Sequence, residues 1–377
     1  MSAGFTISLF ASLVLSGWML SAPAPAASQS LPAGDAGQIF GSLSIGKPVF
    51  NPAAGEAMDL SLGLKRSGRV TLRVFDAQWR EVAVPVQDAD LGAGPHKLSW
   101  DGHDADAAIV PNEAYFFTVE VVGADGSTEI YDPTAFSGGI ESDISEAELD
   151  RLQGTFHYRL PGPARVNIRI GLESGPLLLT LVDWEPRTSG QISEYWDGRD
   201  RDGLLDLYEH PKRKIIITCF TLPDNSVITI GNADRAVVND VPASPRALKP
   251  DRTIINARSG KESPHYRLSR QLDRSPNLRV EFKSLEEVIN GVSVITGRTI
   301  VNLDMDERSK RDFVNSKFEI VFFLDGQFLA EEEAGFIPYN WTWDTTQHAP
   351  GDHHLTVNLS TVTDQIGVAS KRIRIVR

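Results

Sequence analysis

One stretch of this sequence recurs, which limits the fold to something built from copies of a module. Trp100-Asp101-Gly102 returns as Trp196-Asp197-Gly198, 96 positions later. Upstream, Gly68-Arg69-Val70-Thr71-Leu72-Arg73-Val74 aligns with Ala164-Arg165-Val166-Asn167-Ile168-Arg169-Ile170 at the same offset. Asp104 and Asp106 map onto Asp200 and Asp202. Solenoid repeats run to about 20–50 residues, so this unit is the size of a small domain.

Inside each copy the signals are those of β-structure. Val70, Leu72 and Val74 alternate with polar neighbours, as do Val166, Ile168 and Ile170. A period of two puts one row of side chains inward and the other outward. Tyr115-Phe116-Phe117-Thr118-Val119-Glu120-Val121-Val122 stops at Gly123-Ala124-Asp125-Gly126, and Lys214–Phe220 stops at Pro223-Asp224-Asn225. Both stops are turn chemistry. A third β unit fills the C-terminal hundred residues. There Phe318–Leu324 meets the hairpin dipeptide Asp325-Gly326. Trp341-Thr342-Trp343-Asp344-Thr345 follows, with both Trp side chains on one strand face, one for the core and one for its rim. Leu355, Val357 and Leu359 alternate next, and Arg372–Arg377 reads as a closing strand whose outward arginines discourage edge pairing. The fold class expected is all-β, with three tandem immunoglobulin-like β-sandwich domains.

The domain plan follows. Residues 1–26 carry no charge, Phe5–Leu20 are mostly apolar, and Ala24-Pro25-Ala26 fits a small-x-small cleavage site, so a secretory signal peptide is expected. The alternative for that stretch is a short membrane anchor. Residues 27–45 form a linker, 46–136 the first unit and 137–153 a short helical linker around Ser145–Leu152. Residues 154–240 form the second unit, 241–276 a Pro-containing linker and 277–377 the third unit. That second linker holds eight cationic and three acidic residues, +5 in a chain whose net charge is −13. It reads either as a solvated spacer or as a strap along an acidic face. The overall negative charge argues against a nucleic-acid partner, because phosphate binding needs a cationic surface. A single cysteine, Cys219, excludes an internal disulfide.

On Trp100-Asp101-Gly102-His103-Asp104, Val110-Pro111-Asn112 and Tyr115-Phe116-Phe117, unit one resembles the immunoglobulin-like module of the flagellar hook-capping (FlgD-like) family. Unit two keeps Trp196-Asp197-Gly198-Arg199-Asp200 and Asp202-Gly203 but loses the aromatic strand start and gains residues around Leu205–Lys214. Asn112-Glu113-Ala114 stands where the family usually has Ala-Gly-x. Unit three is similar to generic bacterial Ig-like modules. The resemblance implies a sandwich fold and an export habit, and it implies no catalytic residues.

The candidate chemistry is sparse. Asp101, Asp104 and Asp106, with Asp197, Asp200 and Asp202, are weak calcium candidates. Their spacing is not that of an EF-hand, and Asp in such turns commonly binds its own backbone amides. His348, His353 and His354 cluster, but adjacent strand residues face opposite ways. Gly171-Leu172-Glu173-Ser174-Gly175 misplaces the serine of a nucleophile elbow. Glu331-Glu332-Glu333 reads as a solvated edge, and Cys219, in an apolar run, as a buried small side chain. Trp100, Gly102, Trp196 and Gly198 are the structural anchors of the repeat; Trp79 and Trp184 are less constrained. No catalytic residue, cofactor or metal is expected.

The expected function is a non-catalytic exported protein, periplasmic or extracellular, that acts as a structural, assembly or adhesion module. Its partners would be other exported or cell-surface proteins, with no membrane span in the mature chain. The alternative is a carbohydrate- or ligand-binding accessory protein. The Asp turns generate a test. Calcium bound by the native state alone adds about 2.7 kcal/mol at a hundredfold excess over Kd. Melting in chelator and in millimolar calcium is expected to coincide, and a rise of several degrees with calcium would make the turns ion sites.

Overall fold

In the computed structural model, residues 38–77, 79–232, 253–254, 274–283, 287–313, 316–362 and 365–377 are described. The expected signal peptide and most of the basic linker fall outside the described residues.

Unit one opens with β1 (Phe40–Ile45), β2 (Val49–Phe50), β3 (Met58–Leu64), β4 (Gly68–Phe75), β5 (Glu81–Leu91) and β6 (Gly94–Trp100). It continues with β7 (Ala114–Gly123) and β8 (Thr128–Tyr131). Met58, Leu60, Leu62 and Leu64 alternate with polar or small residues, so one row of β3 is buried. That row faces Val70, Leu72 and Val74 of β4 across the core. One sheet runs β1–β3–β6; the other is built on β4, flanked by β5 and β7, with β8 beyond β7. The carboxylate of Glu129, itself buried, accepts the amides of Ile39 and Phe40 at 3.0–3.1 Å and pins the entry of β1.

Unit two repeats this plan with β9 (Ser145–Asp150), β10 (Thr155–Leu160), β11 (Ala164–Leu172), β12 (Leu177–Arg187), β13 (Gly190–Tyr195) and β14 (Arg213–Thr221). Its sheets are β9–β10–β13 and β12–β11–β14. The helix expected over Ser145–Leu152 is instead the edge strand β9, with Leu149 opposite Phe156 and Glu148 opposite His157. A helix of this length lacks the hydrogen bonds to repay its nucleation, whereas pairing with β10 satisfies the backbone at once.

Two further strands leave the order of the chain. β15 (Val227–Thr229) follows unit two but pairs antiparallel with β7 and parallel with β2, both in unit one. β16 (Thr253–Ile254) pairs parallel with β8. Residues 227–232, assigned from sequence to the second unit, thus complete the first. Within the basic segment, 253–254 form a strand, and Ser275 is held at unit two.

Unit three holds β17 (Leu278–Phe282), β18 (Glu287–Ile289), β19 (Val292–Thr296), β20 (Arg298–Met305) and the short helix α1 (Glu307–Asp312). After these come β21 (Phe318–Leu324), β22 (Gln327–Gly335), β23 (Tyr339–Asp344), β24 (Gly351–Thr361) and β25 (Ile366–Val376). The sheets are β17–β20–β23 and β18–β19–β25–β24–β21–β22. Asp325 and Gly326, at φ 51° and 77°, turn the β21–β22 hairpin as expected. β25 is not the edge inferred from its arginines. It lies between β19 and β24, and Arg374 pairs with Asp352 at 2.5 Å on the neighbouring strand. The charged Glu331–Glu333 do lie on an edge strand, β22.

The repeat is conformational as well as chemical. Asp88 and Trp184, 96 positions apart, both have positive φ (49° and 53°) where β4–β5 and β11–β12 bulge. Trp100 and Trp196 are each 2% exposed, and each indole Nε1 donates at 2.9 Å to a carbonyl three residues on, that of His103 or Arg199. Gly102 and Gly198 sit at φ 78° and 81°. A Cβ at either would strike the ring of Pro52 or Tyr208 within 2.4 Å, so only glycine fits. Truncating a buried Trp costs about 3–5 kcal/mol. Trp100→Ala and Trp196→Ala are each expected to lower the melting temperature by many degrees, and an unchanged melt of either variant would show that its indole contributes no packing.

Candidate functional site

A fully buried charged side chain stands where the first two units meet. At the first joint, Arg165 of β11 is 0% exposed. Its Nη2 donates to Glu113 Oε1 of unit one at 2.8 Å, and its Nη1 to the Trp184 carbonyl at 3.2 Å. That carbonyl belongs to the residue at the β12 bulge. Glu113 Oε1 also accepts the Ala114 amide at 2.7 Å.

β15 stitches the same joint from the other side. Thr229 N donates to Glu113 O at 2.9 Å, and Thr229 Oγ1 to Pro111 O at 2.7 Å. Asn232 Nδ2 reaches the carbonyls of Ile109 and Val110 at 2.9 and 3.1 Å. Ala114, Leu222 and Ile228 form a small apolar cluster across the seam. Asn225 Nδ2 donates to Tyr131 OH at 2.7 Å, and burial raises the pKa values of Tyr131, Asp132 and Asp224.

The second joint is polar. The Asn358 side chain of β24 accepts the Leu177 amide and donates to the Leu177 carbonyl, both at 2.8 Å, so one amide caps the start of β12. Asp202 Oδ2 accepts the Ser370 amide at 2.6 Å. Arg201 donates to the carbonyls of Leu278 (3.2 Å) and Val368 and to Asn277 Oδ1. Arg372 reaches Leu204 O at 3.1 Å, and Asp183 accepts the Ser275 amide at 2.6 Å.

The Asp candidates occupy three different roles. Asp101 and Asp197 each accept the amide two residues on, at 3.1 and 2.9 Å. Asp104 Oδ1 accepts the amides of Asp106 and Ala108, and Asp200 Oδ1 those of Leu204 and Leu205. Asp106 is exposed, whereas its repeat partner Asp202 binds unit three. The residues that insert after Trp196 also have a use. Leu207 and Tyr208 pack on that indole, with Tyr208 edge-on at 5.2 Å.

The histidines do not converge. His353 Nδ1 meets Asp325 Oδ2 at 2.6 Å and its Nε2 meets Ala349 O at 2.9 Å. Burial works against the charge of His353, but the Asp325 carboxylate and the Ala349 carbonyl outweigh it and raise the pKa above the ordinary value. Burial lowers that of His354, with Arg372 adding to the effect. His348 packs on Trp343 at 5.4 Å, and Trp343 is buried with the half-buried Trp341 stacked on it. Cys219 is buried, its thiol donates to Ser142 O at 3.0 Å, and burial pushes its pKa up to about 11. Among the described residues no group of three or more His, Cys, Asp or Glu is placed to hold a metal, and no helix is long and apolar enough to cross a membrane.

Sequence reasoning missed Glu113 and Arg165 as partners. The signal available was the departure from the family pattern at Asn112-Glu113-Ala114, which puts a carboxylate where the module usually has a small residue.

No protein-family model matches the chain, and no curated protein matches it. Among solved structures it is similar to FlgD from P. aeruginosa at 23% identity, over 25% of this chain and 70% of that one, with a TM-score of 0.20. It is similar to the fibronectin(III)-like modules of CbhA from Clostridium thermocellum at 10% identity, over 88% and 93% of the two chains, with a TM-score of 0.19. A bacterial ice-binding adhesin aligns at 12% identity over 89% and 98%, with a TM-score of 0.18. The all-β class rests on the strand pairing described above, and these likenesses add nothing about a ligand.

Removing one partner of a buried ion pair strands the other charge, at a cost of about 3–5 kcal/mol. Arg165→Met is expected to lose that much in urea denaturation. Arg165→Met combined with Glu113→Gln is expected to recover much of it. A single variant within about 0.5 kcal/mol of the parent, the usual range for surface changes, would show that the pair does not hold the joint.

Proposed function

We propose that this protein is a non-catalytic exported scaffold in which FlgD-like and related Ig-like modules act as a structural or assembly element through protein–protein contacts. The observation that carries this reading is the first joint. A strand of the polypeptide that follows unit two is built into unit one, and a buried Arg165–Glu113 pair crosses the same boundary. Flexible tandem modules need neither feature. Such joints hold successive modules at fixed spacing and orientation, which suits a spacer or an assembly platform and does nothing for turnover. Several of the side chains that the sequence offered for chemistry have structural roles, which supports this reading. The Asp turns hold backbone amides, Cys219 is a buried thiol with a raised pKa, and Trp100 and Trp196 lie in cores rather than on a sugar-facing surface.

The test is small-angle scattering of the mature chain alongside a broad glycosidase and esterase screen. One rigid particle, whose scattering profile extrapolated to zero concentration is unchanged from low to high salt, with no turnover, is the expected result. Modules that scatter as independent bodies would remove the fixed-spacing function, and measurable turnover would replace the scaffold with an enzyme.

A further inference from the structure

One lateral side of unit two carries two open strand edges of opposite charge. β14 ends the sheet β12–β11–β14, and β9 ends the sheet β13–β10–β9. The chain links them directly. Gly139 N donates to Thr221 O at 2.7 Å and Ser142 N to Cys219 O at 3.0 Å, and β9 begins at Ser145. Both edges therefore lie on the same side of the sandwich. Cys219 and Thr221 turn their backbone groups outward, and by the two-residue period Ile215 and Ile217 do so too. The Arg213 amide turns back to His210 O at 3.0 Å and residues 139–142 cover Cys219–Thr221, so the open part of this edge is Ile215–Ile217, whose outward side nothing pairs among the described residues.

The matching edge of unit one is filled, since Ala114 and Tyr115 of β7 receive β15 there. This module therefore accepts an added strand at that position, and unit two has sent its own following strand to unit one.

Charge selects what fits the open edge. The chain enters β14 through Lys212-Arg213-Lys214, and β9 reads Ser145-Glu146-Ala147-Glu148-Leu149-Asp150. Arg213 is held by the carbonyls of Leu207 and Tyr208, and Glu146 by Arg159 at 2.9 Å. Lys212, Lys214 and Glu148 have no ion-pair partner among the described residues. Ile140, Ile216 and Leu152, which are 49%, 47% and 99% exposed, stand on or beside the same two edges. Like charges along an edge normally repel an incoming strand. Here each edge is the complement of the other.

We propose that this side of unit two binds the same side of a second copy of the chain, with the basic β14 edge of each copy lying against the acidic β9 edge of the other. A two-fold axis makes the contact self-complementary. The open edges supply backbone hydrogen bonds, and the exposed apolar side chains supply burial. The inference names a partner for the scaffold function and rests on it only in taking the contact to be between proteins.

The experiment is sedimentation of the full mature chain over micromolar to submillimolar concentration at low and high salt. A monomer–dimer equilibrium that loosens with salt is expected. Glu148→Lys and Lys214→Glu are each expected to weaken it about tenfold, and the two reversals in one chain to restore it. Ile216→Asp, at an exposed position, is expected to abolish it with the thermal melt unchanged. A monomer under all conditions, or a dimer indifferent to both single reversals, overturns the proposal. So does a monomer that instead binds an acidic extended peptide at Lys212–Lys214, which would put a different occupant on the edge. Rigid joints between units are read by scattering, so they stand or fall apart from this result.

Discussion

A guanidinium with no exposed surface is the constraint around which the first two units are arranged. Desolvating Arg165 costs several kcal/mol unless its hydrogen bonds are remade inside the protein. Two partners take its Nη1 and Nη2 donors, leaving the buried Nε without one, and they come from different places. Glu113 arrives from unit one, and the Trp184 carbonyl is turned inward by a bulge in unit two. Neither unit alone satisfies this side chain. β15 adds backbone hydrogen bonds and a small apolar cluster at the same seam, so two separate devices oppose its opening.

The second joint uses different physics. Among the described residues no buried apolar cluster spans it, and most of its contacts are side chains reaching backbone groups. Asn358 brackets Leu177, Asp202 holds the Ser370 amide, and Arg201 collects two carbonyls and an amide oxygen. Each such bond contributes modestly in water, about 0.5–1.5 kcal/mol, and somewhat more when one partner is charged. Their number and direction set an orientation more than a strength. The same Asp turn that is solvated at Asp106 in unit one became, at Asp202, a hook for unit three.

The repeated turn was written in local pattern, whereas the joints between units were not. The Trp-Asp-Gly turn could be read because its requirements are local: an indole that must bury, a glycine at positive φ, and an aspartate beside free amides. The bulge at Asp88 and Trp184 shows that the 96-residue offset extends to the backbone, although no residue type marks it. What misled was equally local. Glu, Ala and Leu in Ser145–Leu152 favour a helix in isolation, and the arginines of β25 look like protection for an edge.

By itself the sequence determined the all-β class, the repeated turn and the alternating rows that became the cores, because each depends on spacing within a few residues. Only the tertiary structure decided which unit owns Val227–Thr229, which strands are edges, and which acid meets Arg165. Arg165 meets its acid across 52 positions, and Thr229 meets Glu113 across 116. A strand with outward hydrogen-bonding groups pairs with whichever open edge is nearest in space, and sequence order does not set that distance.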